Sequence, residues 1–267
     1  MKKYLSFFRL RFLTGLQYRT AALAGIATQF AWGFLEIMVM KAFYETDPGV
    51  YPMTFRATVS YIWLQQAFLA FFAVWMVDSE LFEMISNGNI AYELCRPIRI
   101  YSMMTARNLA NRTSRAVLRC LPILLVAAFL PKPFRMEPPV GIAEFLLFVV
   151  TMLLGLSVTV AFFMLVYVLA FYTISPQGLR IVFCSLVEFL SGGVIPLPFF
   201  PEPVLRVLEL LPFASMQNVP LRIYSGDIAG KEMVRAVGLQ VFWLMALVVV
   251  GSMLCRMAER KVALQGG

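Results

Sequence analysis

From position 142 to 173 the chain reads IAEFLLFVVTMLLGLSVTVAFFMLVYVLAFYT, and Glu144 is the single charge in the run. No soluble core helix or strand needs so long an unbroken apolar segment, whereas a helix crossing the hydrocarbon of a bilayer does. Further long apolar runs fall at 21–43, 57–77, 114–131, 181–200 and 237–256. None alternates with period two, so the runs predict helices rather than a membrane barrel. Water is missing inside a bilayer, and helices satisfy their own backbone there. Composition agrees: 60% of the residues are hydrophobic and 14% charged, against about 25% charged in a soluble domain. The expectation is an all-α integral membrane protein, one domain over 1–267, with six transmembrane helices. The fourth run exceeds a bilayer's thickness and must tilt or project beyond it.

Basic residues orient the spans. With the N-terminus inside, fifteen of the 23 Lys and Arg fall on cytoplasmic segments. They lie at the N-terminus (Lys2, Lys3, Arg9, Arg11, Arg19), between spans two and three (Arg96 to Arg119), at Arg180 and at the C-terminal end. Both termini are then cytoplasmic, and the net charge of +8 serves topology and contact with anionic lipid rather than nucleic acid. Arg112, Arg115 and Arg119 are expected to anchor span three to lipid head groups. Residues 1–20 are too interrupted by Arg9 and Arg11 for a cleavable signal. Tyr4, Leu5, Phe8, Phe12 and Leu16 recur at helical spacing, which predicts an amphipathic helix lying on the membrane surface.

Two segments outside the spans stand out. Residues 77–112 form a long connection whose helical periodicity breaks at SNGN and at RPI. Leu81, Phe82, Met84 and Ile85 can form one apolar face of a short helix there. The second segment begins SGGVIPLPFFPEP at Ser191. Two glycines and four prolines prevent a helix, yet the residues between are apolar. Such backbone at membrane depth requires protein or a water-lined cavity around it. It predicts either a re-entrant lid at the outer end of a path or an inert cap on the bundle. VLRVLELLP then reads as a short amphipathic helix stopped by Pro212, followed by a return through polar and turn residues.

Enzyme chemistry has little to work with. The chain contains no histidine, the commonest general base and metal ligand. GDIAGKE, from Gly226, is one residue short of a phosphate-cradling loop and has Glu232 where Ser or Thr should bind magnesium. Cys95, Cys120, Cys184 and Cys255 lack the spacing of a metal or redox site and read as packing residues. Glu36, Lys41 and Glu188 are ionisable groups within spans, each costly in lipid. They either line a polar or proton-coupled path or hydrogen-bond between helices, Glu36 to Gln29 or to a neighbouring helix; isolated carboxylates with no basic relay favour the second.

Two motifs carry a resemblance across this layout. MISNGNIAYELCRPI holds Gly88, Leu94, Arg96 and Pro97, and SGGVIPLPFFPEPVLRVLELLPF holds Gly193, Pro196, Phe200, Pro201, Leu211, Pro212 and Phe213. Together they resemble the permeases of the type-2 ABC exporter superfamily, and more closely its compact six-span bacterial ABC-2 transporters. The resemblance implies an exporter subunit in the bacterial inner membrane that binds no cofactor itself. A separate cytosolic ATPase, in two copies, would use ATP and magnesium, and a second permease, identical or paralogous, would complete the assembly. It implies contact with the ATPase through the N-terminal helix and the loop at 78–100, where Glu83, Asn87, Gly88, Tyr92, Glu93, Arg96 and Pro97 are the candidate coupling residues. It also implies a re-entrant outer gate within 191–235, with Gly192, Gly193, Pro196, Phe199, Phe200 and Pro201 as its candidates. A proton-coupled carrier using Glu36 and Glu188, or a membrane scaffold without transport, are the alternatives.

Overall fold

The structure, a computed structural model, describes residues 2–46, 49, 51–75, 77–94, 98–173 and 176–265. Among them there is helix and no strand. A short helix α1, Lys2–Gly15, is followed by α2, Arg19–Thr46, which is long and apolar enough to cross a membrane. So are α8, Ile142–Ala170, and α12, Gly230–Gln265, over its Gly230–Arg260 portion.

The other predicted spans differ in detail. The run at 57–77 is α3, Phe55–Ala67, and a single further turn α4, Leu69–Phe72, interrupted at Phe68. Every residue of α3 from Thr58 to Ala67 is buried. It is a central rod covered on all sides, and its polar Gln65 and Gln66 are buried with the rest. The run at 114–131 is the second half of α7, Ile100–Phe129, which begins well before it because its polar first half is buried too. The run at 181–200 is the helix α9, Pro176–Leu190, which starts earlier and stops ten residues sooner. Hydropathy overran the helix because Pro196, Leu197 and Pro198 are buried without being helical in the α sense; they lead into a 3₁₀ turn, Leu197–Phe199.

Two poles organise the bundle. At one, α1 lies across α7, where the Arg99 amide donates to the Tyr4 hydroxyl at 3.0 Å. Here too are α5, Ser79–Ser86, and α6, Ile90–Leu94, and the Tyr172 hydroxyl near the end of α8 donates to the Leu254 carbonyl on α12 at 3.1 Å. At the opposite pole the Trp63 indole donates to the Phe134 carbonyl at 2.8 Å, and Tyr44 donates to the Met53 carbonyl at 2.6 Å. Phe199 packs there against Tyr44 and Tyr51. On α1, Tyr4 and Phe7 turn toward the core, while Leu5 is 70% exposed on the outer side of the helix.

α8 is the hub of the core. Its middle, Val158 to Met164, is buried throughout, and α12, α7, α9 and α5 pack around it. Two short helices, α10, Glu202–Leu210, and α11, Asn218–Ser225, follow the 3₁₀ turn. The sequence led only to the first. The second is no polar return loop: α11 is buried between α3 and α8, with the Tyr61 hydroxyl donating to Asn218 at 3.2 Å and Tyr224 donating to the Glu137 carbonyl at 3.2 Å.

Candidate functional site

At the α1 pole, α5 presents two opposite faces. Leu81, Phe82 and Ile85 are buried and Met84 half-buried, while Phe82 meets the Tyr167 ring of α8 at 4.9 Å. That is the apolar face read from the sequence. Away from it, Glu83, Asn87 and Gly88 are exposed, Tyr92 is 76% exposed, and Glu93 is half-exposed. Gly88 takes φ +71° in open space, a left-handed turn that glycine enters without strain. Four of the candidate coupling residues, Glu83, Asn87, Gly88 and Tyr92, therefore crown the α5–α6 tip, while Glu93 keeps one carboxylate oxygen buried. The other two, Arg96 and Pro97, lie outside the described residues.

What fixes that tip to the bundle was not found from the sequence. Asp78 caps α5 by accepting the Leu81 amide at 3.2 Å, and its own amide donates to the Tyr167 hydroxyl at 2.8 Å. Arg107 of α7 grips the same carboxylate with two bonds, Nε to Oδ2 at 2.5 Å and Nη2 to Oδ1 at 2.9 Å, and also pairs with Glu80. Asn111 adds a bond at 3.3 Å. One carboxylate thus ties the start of α5 to α7, and its backbone ties it to α8. The signal available in the sequence was local: an Asp directly before an amphipathic octet is a helix N-cap. The partner, 29 residues further on, follows no local pattern.

Arg112 corrects an expectation. It does not reach lipid head groups; it is 1% exposed. Its guanidinium donates to the carbonyls of Phe71 and Ala73 at 2.8 and 3.0 Å and to Asn108 at 2.9 Å, and lies over the Phe163 ring. These carbonyls belong to the frayed end of α4, where the helix has no intrahelical donors left. A planar fork with several N–H groups is the side chain that can serve them together. Arg115, by contrast, is exposed.

At the opposite pole the broken segment starts with a tight helix stop. The Ser191 amide donates to Val187 and the Gly193 amide to Glu188, at 2.9 and 3.1 Å. Gly192 between them takes φ +82°, and a Cβ on Gly193 would come within 2.8 Å of the Glu188 carbonyl oxygen. Pro196 is buried, Phe199 and Phe200 are half-buried, and Pro201 is exposed. Phe200 packs on Phe189 at 5.8 Å. The Gly193 carbonyl accepts from Gln65 of α3 at 2.8 Å, which joins the turn to the central rod.

Between α2, α3, α9 and this turn runs a lateral cleft of about 1000 Å³. It brings together groups that the sequence placed in separate sets: Glu36 and Glu188 from the spans, Gly193 and Phe199 from the broken segment. Glu36 accepts from Gln66 of α3 at 3.4 Å, not from Gln29. Lys41 stands outside the cleft lining and pairs with Glu45 one turn along α2 at 3.5 Å, a half-exposed pair. Among the described residues no cluster of His, Cys, Asp and Glu could hold a metal ion.

The bundle thus combines several membrane-length helices, an exposed tip tied to α7 and α8, and a cleft beside α2. The family comparison is specific: the chain belongs to the ABC-2 family transporter proteins, which it matches over residues 30–266. A comparison with the curated proteins gives no match. The chain is thus a permease component of an ABC transporter, set in a membrane through several helices.

Proposed function

We propose that this chain is the membrane-spanning subunit of an ATP-driven exporter of the bacterial inner membrane, energised by a separate cytosolic ATPase. The observation that carries it is the α5–α6 tip: exposed, yet fixed to α7 and α8 through Asp78, Arg107 and Tyr167. A partner that moves the tip moves those helices as a body, because a packed core transmits displacement rather than absorbing it. In this reading the α1 pole is cytoplasmic, both termini lie there, and α2, α3 with α4, α7, α8, α9 and α12 are the six passes. Two ATPase copies serve two permease subunits, and ATP and magnesium act on the ATPases. The burial of α11 and the sharp stop at Gly192 and Gly193 support a re-entrant outer gate closing the far pole.

The test is substitution in the loop at 78–100. Gly88→Trp and Arg96→Glu should leave the protein folded and monodisperse while abolishing transport that depends on the ATPase. Normal transport by both variants would overturn the assignment of the tip as the docking element.

A further inference from the structure

The cleft carries polar atoms that nothing satisfies. Gln29 of α2 is 3% exposed, and neither its amide oxygen nor its nitrogen has a partner among the described residues. The Gln65 oxygen and one Glu36 oxygen are likewise buried and unpartnered. Each such atom costs free energy unless something bonds it, so a buried group left open calls for a partner. All three side chains line the same cleft. Their open atoms are three acceptors and one amide NH₂, and Arg119, which also lines the cleft, adds one unpartnered buried N–H, so acceptors outnumber the open donor groups. Seven residues of helix separate Gln29 from Glu36, about 10 Å along α2, too far for one hydroxyl or ammonium to serve both. The rim is apolar and exposed: Trp32, Leu35, Val39 and Phe43.

We propose that the cleft takes an amphiphile whose head group presents several N–H or O–H donors, an amine-bearing or polyhydroxyl head on an apolar tail. The head lies along Gln29, Glu36 and Gln65, and the tail lies against the α2 rim. The inference deepens the permease reading and rests on it for the idea that the ligand is cargo; the binding itself needs no ATPase.

The test uses the purified full chain in a detergent-free polymer belt and follows the fluorescence of Trp32 and Trp75, which both line the cleft. Three probes share one alkyl chain: an alkyl glucoside, a primary alkylamine, and an alkyl dimethylphosphine oxide that accepts hydrogen bonds but donates none. The two donors should bind about 10-fold or more tightly than the phosphine oxide, the equivalent of one or two hydrogen bonds. Gln29→Leu should remove most of that preference while raising thermal stability, because an unpartnered buried amide is replaced by an apolar side chain. Glu36→Gln separates the two donor sources: it weakens the amine if a cation is held and spares the glucoside if a polyol is. Equal binding of all three probes, a preference that survives Gln29→Leu, or a loss of stability in that variant would overturn the proposal. If the preference fails while an ATPase still binds the chain, this inference falls and the permease reading stands.

Discussion

Two residues at the α1 pole concentrate the account's energetic risk. Asp78 and Arg107 are nearly buried side chains in a bidentate pair, and removing one leaves the other as an uncompensated charge. Arg107→Ala should therefore lower stability by roughly 3 kcal/mol, and Asp78→Ala, which loses both the charge and the cap, should cost distinctly more than Asp78→Asn, which keeps an oxygen to cap α5. Denaturant or thermal unfolding in detergent reads each of them, and equal losses in the Asp78 variants would show that the cap contributes nothing. Glu80, 62% exposed, adds little because water screens it. At the other pole, Gly192→Ala should cost about 1 kcal/mol for its left-handed backbone. Gly193→Ala should cost more, since its Cβ meets a backbone oxygen that cannot step aside. The reverse ranking, read in the same unfolding assay, would contradict the described stop. Neither pairing could be foreseen for Arg112: three arginines on one helix look alike in sequence, and only the frayed end of α4 decides which of them is buried.

Among the elements, α5 separates folding from function most clearly. Its inner face is core and its outer face is free. Phe82→Ala should destabilise the protein by about 3 kcal/mol, while Glu83→Ala on the exposed side of α5 should leave unfolding unchanged and lose ATPase-dependent transport; loss of stability in the second variant would contradict a free outer face. The two faces of α5 were legible in the sequence because a short amphipathic helix writes its burial at local spacing. So was the break after Ser191, written in two glycines and a run of prolines, although the apolar run itself continued to 200 and overran the helix end at Leu190. The helix α11 was not. NVPLRIYS is short, polar and carries Pro220, and its burial comes from the groove that α3 and α8 make for it. The same holds for α3, whose run of apolar residues announces a span but not that it is shielded on every side. Local pattern reports what a segment is; burial by distant elements reports where it goes, and Asp78 with Arg107 is the residue-level instance.

For the molecule as a whole, apolar runs were enough to fix an all-helical membrane protein, and two short motifs were enough to point to its family. The cleft was not legible, since Gln29, Glu36, Gln65 and Glu188 come from three helices and carry no shared motif. Glu36 and Glu188 in one cleft also sharpen the contrast with a proton-coupled carrier. In sealed vesicles with ATP held constant, transport should persist when an uncoupler collapses the proton gradient and stop when ATP is removed; the opposite pattern would favour the carrier. The most direct test of the central claim is gentle isolation of the tagged chain with identification of what comes with it by mass spectrometry. An ATPase bearing a glycine-rich phosphate loop should come with it at one copy per permease subunit, and be lost with Gly88→Trp. A chain that comes away with no ATPase under several mild conditions would contradict it.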